Sequence, residues 1–356
     1  MNNKDATGAL LMEHYQTYPK LQLGDVLKFL YQSAFGCEHL LSNPSAAIDY
    51  IRKEAANCHS HEGDLIEPLD GDYCRVHLDY LKTGLSAETL GRLFVLSARH
   101  EESGKEALEE KLAVLTELVK EGKLPFAEAE TEAAIEKWRK DGYLACHHSE
   151  KFRSSYFPAY RLLRKEYALF LPLFAEIDRR LQREETVTFA VDGGSASGKS
   201  TLGRLLEQVY GGTVFHMDDF FLRPKQRTKE RLSEAGGNVD RERFLEEVLL
   251  PLSEKRNVEY CSFDCSTFTL RPPVTVPPAK LNVIEGVYSM HPLLTEYYDF
   301  SVFLEITPML QEERIRKRNS PEMAERFFSE WIPLENRYFE SMQVKEHCNI
   351  VISIKE

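Results

Sequence analysis

A glycine-rich segment at residues 193–200 has the residue types and the spacing that bind phosphate. It reads GGSASGKS and matches the pattern G-x-x-x-x-G-K-[ST]. Glycines at its first and sixth positions let successive backbone N–H groups face phosphate oxygens, and a helix that starts at the lysine adds the positive end of its dipole. We call residues 193–200 the phosphate loop and predict that it binds ATP together with Mg²⁺.

Two side chains of the phosphate loop have expected chemical roles. The Lys199 ammonium is expected to act catalytically on the β- and γ-phosphates, and the Ser200 hydroxyl is expected to ligate Mg²⁺. The predicted nucleotide contacts are the loop residues and the residue that follows them: Gly193, Gly194, Ser195, Ala196, Ser197, Gly198, Lys199, Ser200 and Thr201.

Acidic residues follow two later apolar segments. Asp218 and Asp219 come after residues 213–217, and Glu285 ends the segment at 281–285. If these segments are parallel strands, their carboxyl ends face the ligand crevice. Asp218 would then be a base that accepts the proton of an attacking hydroxyl and so contacts the substrate, and Glu285 would hold Mg²⁺ or its waters. The alternatives are a solvated or helix-capping aspartate pair and a surface glutamate at a turn.

Other charged residues are weaker candidates for the same site. Arg314 and Arg318 are four residues apart, so they would share a helix face and could close over the transferring phosphate. A solvated basic face is the alternative. Asp240 and Asp264 are candidate substrate contacts in polar segments, where the alternative is ordinary loop polarity.

The elements that must position these residues change in character near residue 184. Before it the apolar spacing is helical, which predicts an all-α domain over 1–184 with one long helix that includes Leu162 and Leu163 and kinks or breaks at Pro172. After it, short apolar strands alternate with helices, which is typical of a parallel sheet covered on both faces. The expected fold class is therefore α/β in residues 185–356, a five-stranded parallel sheet flanked by helices. The predicted strands are 186–191, 213–217, 281–285, 301–306 and 350–354.

The N-terminal half contains scattered histidines and arginines whose role the sequence leaves open. His39, His77 and His148 could assemble a zinc site if the fold gathers them, or could bind a phosphate or carboxylate together with Arg75 and Arg161. No histidine pair has the i, i+4 spacing of a helical metal motif. The third interpretation is that these histidines are satisfied within the fold.

The composition restricts the partners of the chain. Its 356 residues, 42% hydrophobic and 29% charged, are typical of two folded domains. The net charge of -12 argues against nucleic acid as a partner, and no apolar run has the length of a membrane span. The first residues lack the features of a signal peptide and the seven cysteines are scattered, so a cytoplasmic protein with reduced thiols is expected. The oligomeric state stays open, a homo-oligomer included.

Residues 185–356 resemble the uridine kinase branch of the P-loop kinases, which is related to phosphoribulokinase and bacterial pantothenate kinase. The resemblance implies that Asp218, rather than Asp219, activates the acceptor hydroxyl and that Glu285 belongs to the magnesium shell. It also implies an ATP-dependent transfer of phosphate to an alcohol group. The matching parts are the loop at 193–201, the D-x-F-[FY] segment at 218–221, the pair at 285–286 and the arginine-rich segment at 314–318.

One departure from this group bears on the acceptor. Uridine kinases carry a Tyr-Asp-Phe segment followed by a His and an Arg that help to read the pyrimidine and ribose. In the corresponding stretch, 263–270, those two positions are Phe268 and Leu270, although Arg271 is only one residue from the second. A site without its polar readers loses discrimination by orders of magnitude. The expected acceptor is therefore a small molecule with a hydroxyl, a nucleoside or related alcohol, and uridine itself is disfavoured.

Two other functions remain open at this point. In one, the chain is an ATP-dependent regulatory switch whose helical domain binds a partner. In the other, the helical domain carries a second, unrelated enzymatic activity built on its histidines and arginines. The acceptor base and the arginines at 314–318 favour the kinase, because a switch needs no acceptor base.

Overall fold

The computed structural model describes residues 3–36, 44–98 and 104–355. The chain forms two compact units, Met1–Arg179 and Arg180–Glu356. Each unit buries its own apolar residues. Within the described ranges, no helix is both long enough and apolar enough to cross a lipid bilayer.

The first unit is mainly helical, because its apolar residues recur at helical spacing and turn inward. In the second helix, for example, Val26, Phe29 and Leu30 are all buried. The helices of this unit are α1 (Asn3–Thr17), α2 (Leu23–Phe35), α3 (Pro44–Ala55), α4 (Ala87–Ser97), α5 (Gly104–Lys120), α6 (Glu128–Lys140), α7 (Glu150–Tyr156), α8 (Lys165–Ala168) and α9 (Leu171–Leu181), in which the boundary between the units falls.

A small antiparallel sheet accompanies these helices. Its strands are β1 (Ile66–Pro68), β2 (Tyr73–His77) and β3 (Tyr160–Arg164), in the order β1-β2-β3. The prediction of one long helix that includes Leu162 and Leu163 is wrong, because both leucines lie in β3 and pair with β2. Pairing between distant segments here overrides the helical preference of leucine. The expected helices are present, and the sheet is an addition to the predicted all-helical domain.

The second unit contains a five-stranded parallel sheet, as predicted. Its order is β12-β11-β4-β10-β5, and the three central strands are largely buried, whereas the two edge strands are partly exposed. Two short antiparallel pairs lie outside it, β6 with β9 and β7 with β8. The strands of this unit are β4 (Val187–Gly193), β5 (Thr213–His216), β6 (Val258–Tyr260), β7 (Phe263–Asp264), β8 (Thr269–Leu270), β9 (Val274–Val276), β10 (Leu281–Glu285), β11 (Phe300–Ile306) and β12 (Ile350–Ile354).

Helices connect the parallel strands. One apolar cluster of the unit includes Phe215 of the sheet, Phe244 and Tyr338, all almost fully buried. Wider π-helical turns occur at Leu245–Leu249 and Phe327–Trp331. The helices are α10 (Lys199–Tyr210), α11 (Lys229–Ser233), α12 (Arg241–Phe244), α13 (Leu250–Ser253), α14 (Pro308–Arg318), α15 (Pro321–Arg326), α16 (Ile332–Met342) and α17 (Val344–His347).

Candidate active site at the carboxyl edge of the parallel sheet

The strand order brings the ends of three parallel strands side by side. β10 lies between β4 and β5, and Glu285 at its end pairs with Val191 on one side and with His216 on the other. Parallel strands that end together expose the residues that follow them at one edge of the sheet. The phosphate loop, Asp218 and Glu285 therefore share this edge.

Glycine is required at two positions of the phosphate loop. Gly193 has φ 144°, and a Cβ there would lie 2.4 Å from the carbonyl oxygen of Leu304. Gly198 has φ 99° and immediately precedes the first residue of α10. A side chain at either position would strain the backbone, so glycine allows the loop to keep this conformation.

The Lys199 side chain is held across the phosphate loop. It is buried, and its Nζ donates hydrogen bonds to the carbonyl oxygens of Gly193 at 2.8 Å and Gly194 at 3.0 Å. Lys199 is also the first residue of α10, so its charge adds to the positive end of that helix. The positive charge of Lys199 therefore lies at the start of α10, beside the phosphate loop.

Glu285 is the hydrogen-bonding centre of the edge. Its Oε1 accepts from the Ser200 hydroxyl at 3.1 Å and contacts His216 Nδ1 at 2.5 Å. Burial opposes ionisation of Glu285, but His216, Lys199 and Ser200 outweigh it and lower the pKa of the carboxyl. The same contact with Glu285 raises the pKa of His216. Glu285 is therefore an ionised carboxylate beside a hydroxyl.

The pair formed by Ser200 and Glu285 fits a magnesium ion. Both supply hard oxygen donors, and Mg²⁺ in phosphate sites takes one or two protein ligands, with phosphate oxygens and waters filling the remaining positions. In the described parts of the chain, no group of three or more His, Cys, Asp or Glu side chains is arranged to hold a metal by itself.

Asp218 and Asp219 lie in the short turn Met217–Phe220 directly after β5. The Asp218 side chain reaches solvent, yet the protein atoms crowded around it raise its pKa, and the negative charge of Glu285 adds to this effect against Lys199. The pKa of Asp219 is also raised, mainly by partial burial. A carboxylate whose pKa is raised is a stronger base.

Glu335 is a site residue that the sequence patterns do not indicate. It is buried on α16, and its Oε2 accepts the backbone N–H of Ser195 at 2.9 Å, while the Ser195 hydroxyl donates to Oε1. Burial raises the pKa of Glu335 against these hydrogen bonds. The carboxylate thus takes up a backbone donor of the phosphate loop. It lies 140 residues away in the chain, so no local spacing could reveal it.

A second unexpected residue holds the start of the phosphate loop. Asp192 is fully buried, and it accepts hydrogen bonds from the backbone N–H groups of Gly193 at 2.7 Å and Met290 at 3.0 Å. The Tyr338 hydroxyl donates to it at 2.8 Å. Burial raises the pKa of Asp192 to about 6 despite these three donors. Asp192 therefore joins the end of β4 to α16.

The two arginines of α14 have different surroundings. Arg314 donates a hydrogen bond to the carbonyl oxygen of Ala196 in the phosphate loop at 3.2 Å. Arg318 lies over the ring of Phe327, with its guanidinium carbon 5.9 Å from the ring centre. Arg314 is therefore at the loop, whereas the contact found for Arg318 is a cation–π contact.

Asp240 and Asp264 both have partners within the fold. Asp240 is buried at the start of α12, where it accepts from the Arg243 backbone N–H at 3.3 Å and from Gln226 Nε2 at 2.8 Å. Asp264 Oδ1 accepts two hydrogen bonds from Ser266, one from the hydroxyl at 2.6 Å and one from the backbone N–H at 2.8 Å. These two bonds lower the pKa of Asp264 to about 2. These contacts are the ones expected of a helix cap and a turn.

The polar residues singled out in the first unit are partly gathered. Around Tyr160, His148 Nε2 contacts the hydroxyl at 2.7 Å, the Arg75 guanidinium carbon lies 4.8 Å from the ring centre, and the His77 ring centre lies 6.0 Å from it. Arg161 instead pairs with a carboxylate, Glu54 Oε2, at 2.7 Å. His39 lies outside the described residues.

Comparisons with known proteins cover about half of the chain. No family model matches it. Over 200 residues it is 24% identical to the chloroplastic phosphoribulokinase of Spinacia oleracea, a match that covers 48% of this chain and 49% of that protein. The chain thus spans about half the length of this curated relative. The match confirms the resemblance to the group of kinases that includes phosphoribulokinase.

Two solved structures are each similar to about half of this chain. One is a possible uridine kinase from Bacillus stearothermophilus, with a TM-score of 0.39, 21% identity, and coverage of 51% of this chain and 98% of that one. The other is a candidate fructose transport system kinase from Silicibacter sp. TM1040, with a TM-score of 0.36, 23% identity, and coverage of 48% and 91%.

Proposed function

We propose that residues 185–356 form a kinase domain that transfers the γ-phosphoryl group of ATP to a hydroxyl of a small metabolite. The observation that carries this proposal is the meeting of three kinds of group at one edge of the sheet. These are the phosphate loop with Lys199, the hydrogen-bonded pair Ser200 and Glu285, and the carboxylate of Asp218. A phosphate binder, a magnesium ligand set and a base together are what phosphoryl transfer to an alcohol requires.

In this proposal Asp218 is the general base. It accepts the proton of the acceptor hydroxyl as the oxygen attacks the γ-phosphorus and the bond to the bridging oxygen of ADP breaks. Its raised pKa makes it a better proton acceptor than an ordinary surface aspartate. Lys199 and Arg314 stabilise charge on the phosphates, because both already contact the loop.

Ser200 and Glu285 would hold Mg²⁺ in this reaction. When bound, the ion neutralises charge on the β- and γ-phosphates. His216 donates to Glu285 and so keeps the carboxylate ionised and oriented toward Ser200.

For the acceptor we propose a hydroxyl of a nucleoside or related alcohol other than uridine. The two positions that would carry polar readers, Phe268 and Leu270, present hydrocarbon to solvent, with 52% and 36% of their surfaces exposed. Neither can donate a hydrogen bond to a pyrimidine or a ribose.

The test compares neighbouring aspartates. Asp218→Asn and Asp219→Asn are assayed with ATP, Mg²⁺ and a panel of nucleosides and other small alcohols, and phosphorylated product is measured. For the acceptor that the native chain uses, Asp218→Asn is expected to lower kcat/KM by about 10²- to 10⁴-fold, the usual contribution of a general base, with ATP affinity retained. Asp219→Asn is the matched control. Full turnover by Asp218→Asn would remove Asp218 from this role.

The same assay separates the kinase from a nucleotide-dependent switch. Lys199→Ala is expected to abolish product formation, because the phosphates lose their main cationic contact. A switch would instead hydrolyse ATP without phosphorylating any alcohol of the panel, and a partner protein would stimulate the hydrolysis. That outcome would contradict the proposed transfer.

A further inference from the structure

The first unit contains a cavity of about 530 Å³ that the proposed kinase reaction does not use. Residues of α1 and of the chain around β1 and β2 line it, together with Phe29 of α2, the end of α7 and the segment that follows α7. Sites for small molecules have volumes of about 300 to 1,000 Å³, so the cavity has the size of a metabolite site.

The charge of this cavity is one-sided. No lysine or arginine is among the described residues that line it. Its carboxylates come from five positions along the chain: Glu13, Glu62, Asp64, Glu67 and Asp79. A site for a phosphate or carboxylate ligand would need the opposite charge.

The arginines suggested for an anion site are already committed elsewhere. Arg75 is fully buried and pairs with Glu67 Oε2 at 3.2 Å, and its NH2 donates to Gln32 at 2.7 Å. Arg161 pairs with Glu54. Neither guanidinium lines the cavity, which argues against the anion site considered from the sequence.

Two buried histidines line the cavity with an unpartnered nitrogen. His14 and His77 are 4% and 5% exposed, and the Nε2 atom of each is buried without a hydrogen-bond partner. His14 Nδ1 contacts Glu67 Oε1 at 2.9 Å. Because the ionised carboxylate only accepts, Nδ1 must carry the proton, and Nε2 of the neutral ring is an acceptor. Burial lowers the pKa of both histidines, which keeps the rings neutral.

A hydrogen-bond donor would also fit between Glu67 and His77. His77 Nε2 lies 3.9 Å from Glu67 Oε2, which is too far for a direct hydrogen bond. A donor group between the two atoms could bond to both. The ionised form of Glu67 is strongly favoured, because Arg75 and His14 outweigh burial and lower its pKa to about 2.

Aromatic rings form another part of the lining. Tyr18, Phe29, Tyr156 and Phe157 all contribute, and the His59 ring packs on Phe157 with 4.1 Å between ring centres. The faces of aromatic rings attract cations, and their hydrocarbon surface accepts an apolar body.

We propose that this cavity binds a small organic cation, a protonated amine with an apolar body, whose ammonium group is held by His14, His77 and Glu67. An ammonium group brings positive charge to a lining that contains five carboxylates and no lysine or arginine, and it can donate to His14 Nε2 and, in the Nδ1–H tautomer of the ring, to His77 Nε2. The aromatic rings receive the body of the ligand. This site is separate from the proposed phosphoryl transfer and does not depend on it.

The test uses three matched series of probes with the full chain. Isothermal titration measures binding of methyl-, butyl- and 2-phenylethylammonium, of the alcohols of the same carbon skeletons, and of the corresponding carboxylates. At least one ammonium ion is expected to bind with a Kd of about 1 mM or tighter and at least tenfold more tightly than its alcohol and carboxylate. If no ammonium ion binds better than its alcohol, or if a carboxylate binds best, the proposal is overturned.

Two substitutions locate the binding. Glu67→Gln is expected to weaken binding of the ammonium ion at least tenfold. Because Glu67 also holds Arg75 and His14, the second variant is Glu13→Gln, whose exposed side chain lines the cavity; it is expected to weaken binding about threefold. Glu110→Gln, on the exposed side of α5, is the control and should bind as the native chain does. Unchanged binding in a folded Glu67→Gln chain, or in Glu13→Gln, would contradict the assignment.

Discussion

At the scale of single residues, the contact between Glu335 and Ser195 predicts that the Glu335 carboxylate weakens the binding of ATP to the phosphate loop. A polyphosphate on the loop requires backbone N–H groups that face it. The Ser195 N–H instead donates to the Glu335 carboxylate, whose negative charge would repel the phosphates. We therefore expect Glu335→Gln to tighten ATP binding about threefold to tenfold, because the like charge is removed. Isothermal titration of ATP with Mg²⁺ measures the change.

Glu340→Gln is the control for this prediction, since Glu340 lies on the same helix and is exposed. Weaker ATP binding by Glu335→Gln would contradict the expectation of repulsion. It would indicate that the carboxylate holds Ser195 in the conformation that binds the nucleotide.

The sequence predicts some residues of this edge and cannot predict others. The phosphate loop has a fixed spacing, and Asp218 and Glu285 follow apolar strands, so general rules about parallel sheets bring them together. From α16, Glu335 reaches Ser195 of the phosphate loop and Tyr338 reaches Asp192 just before it, partners that lie 140 and 146 residues away in the chain. No periodicity encodes such a contact, because it depends on how α16 packs.

At the scale of elements, the sequence predicts strands of the parallel sheet but not the short strand β3. β10 is buried at every position and β12 alternates buried with exposed residues, and both have the predicted bounds. Leu162 and Leu163 belong to a short strand with charged neighbours, and a pair of leucines fits a helix equally well. The pairing of β3 with β2 decides its conformation, and that partner is distant in the chain.

The start of α4 shows local control by sequence and gives an element-scale prediction. Ser86 Oγ accepts the Thr89 N–H at 3.0 Å, and Asp178 accepts the Ser86 N–H at 2.7 Å. Ser86→Ala removes the cap and is expected to lower the free energy of unfolding by about 1 kcal/mol. Urea denaturation followed by circular dichroism measures it. Ser154→Ala, at an exposed position, should change stability little; an equal loss there would contradict a specific capping effect.

At the scale of the whole molecule, the chain contains buried groups whose contributions to stability change with pH in opposite directions. Burial lowers the pKa of His77 and of His148 from 6.5 to about 4, so folding favours their neutral forms. Their contribution to stability is complete above pH 6.5 and is lost as the pH falls toward 4. Burial raises the pKa of Asp192 from 3.8 to about 6, so its contribution is present below 3.8 and is lost as the pH rises toward 6.

Acidification from pH 7 to pH 5 is therefore expected to destabilise the first unit, whereas in the second unit the raised pKa of Asp192 acts against the lowered pKa of His291. Each buried histidine contributes a slope of up to about 1.4 kcal/mol per pH unit, because the unfolded chain binds a proton that the folded unit excludes. Hydrogen exchange measured by mass spectrometry reports each unit separately through its own peptides. Peptides of α2 and β3 should exchange faster relative to the intrinsic rate at pH 5 than at pH 7.

His148→Gln tests the origin of this slope. The imidazole of His148 contacts Asp25 Oδ1 at 3.2 Å and the Tyr160 hydroxyl at 2.7 Å, and glutamine keeps a donor and an acceptor without a titrating group. The variant should reduce the pH dependence of protection in the first unit by up to about 1.4 kcal/mol per pH unit. His347→Gln, at an exposed position of α17, should leave the slope unchanged. If the pH dependence of protection in His148→Gln equals that of the native chain, His148 does not cause it. The proton that the unfolded chain binds and the folded unit excludes would then belong to another group, because removing the titrating group removes its contribution to the pH dependence.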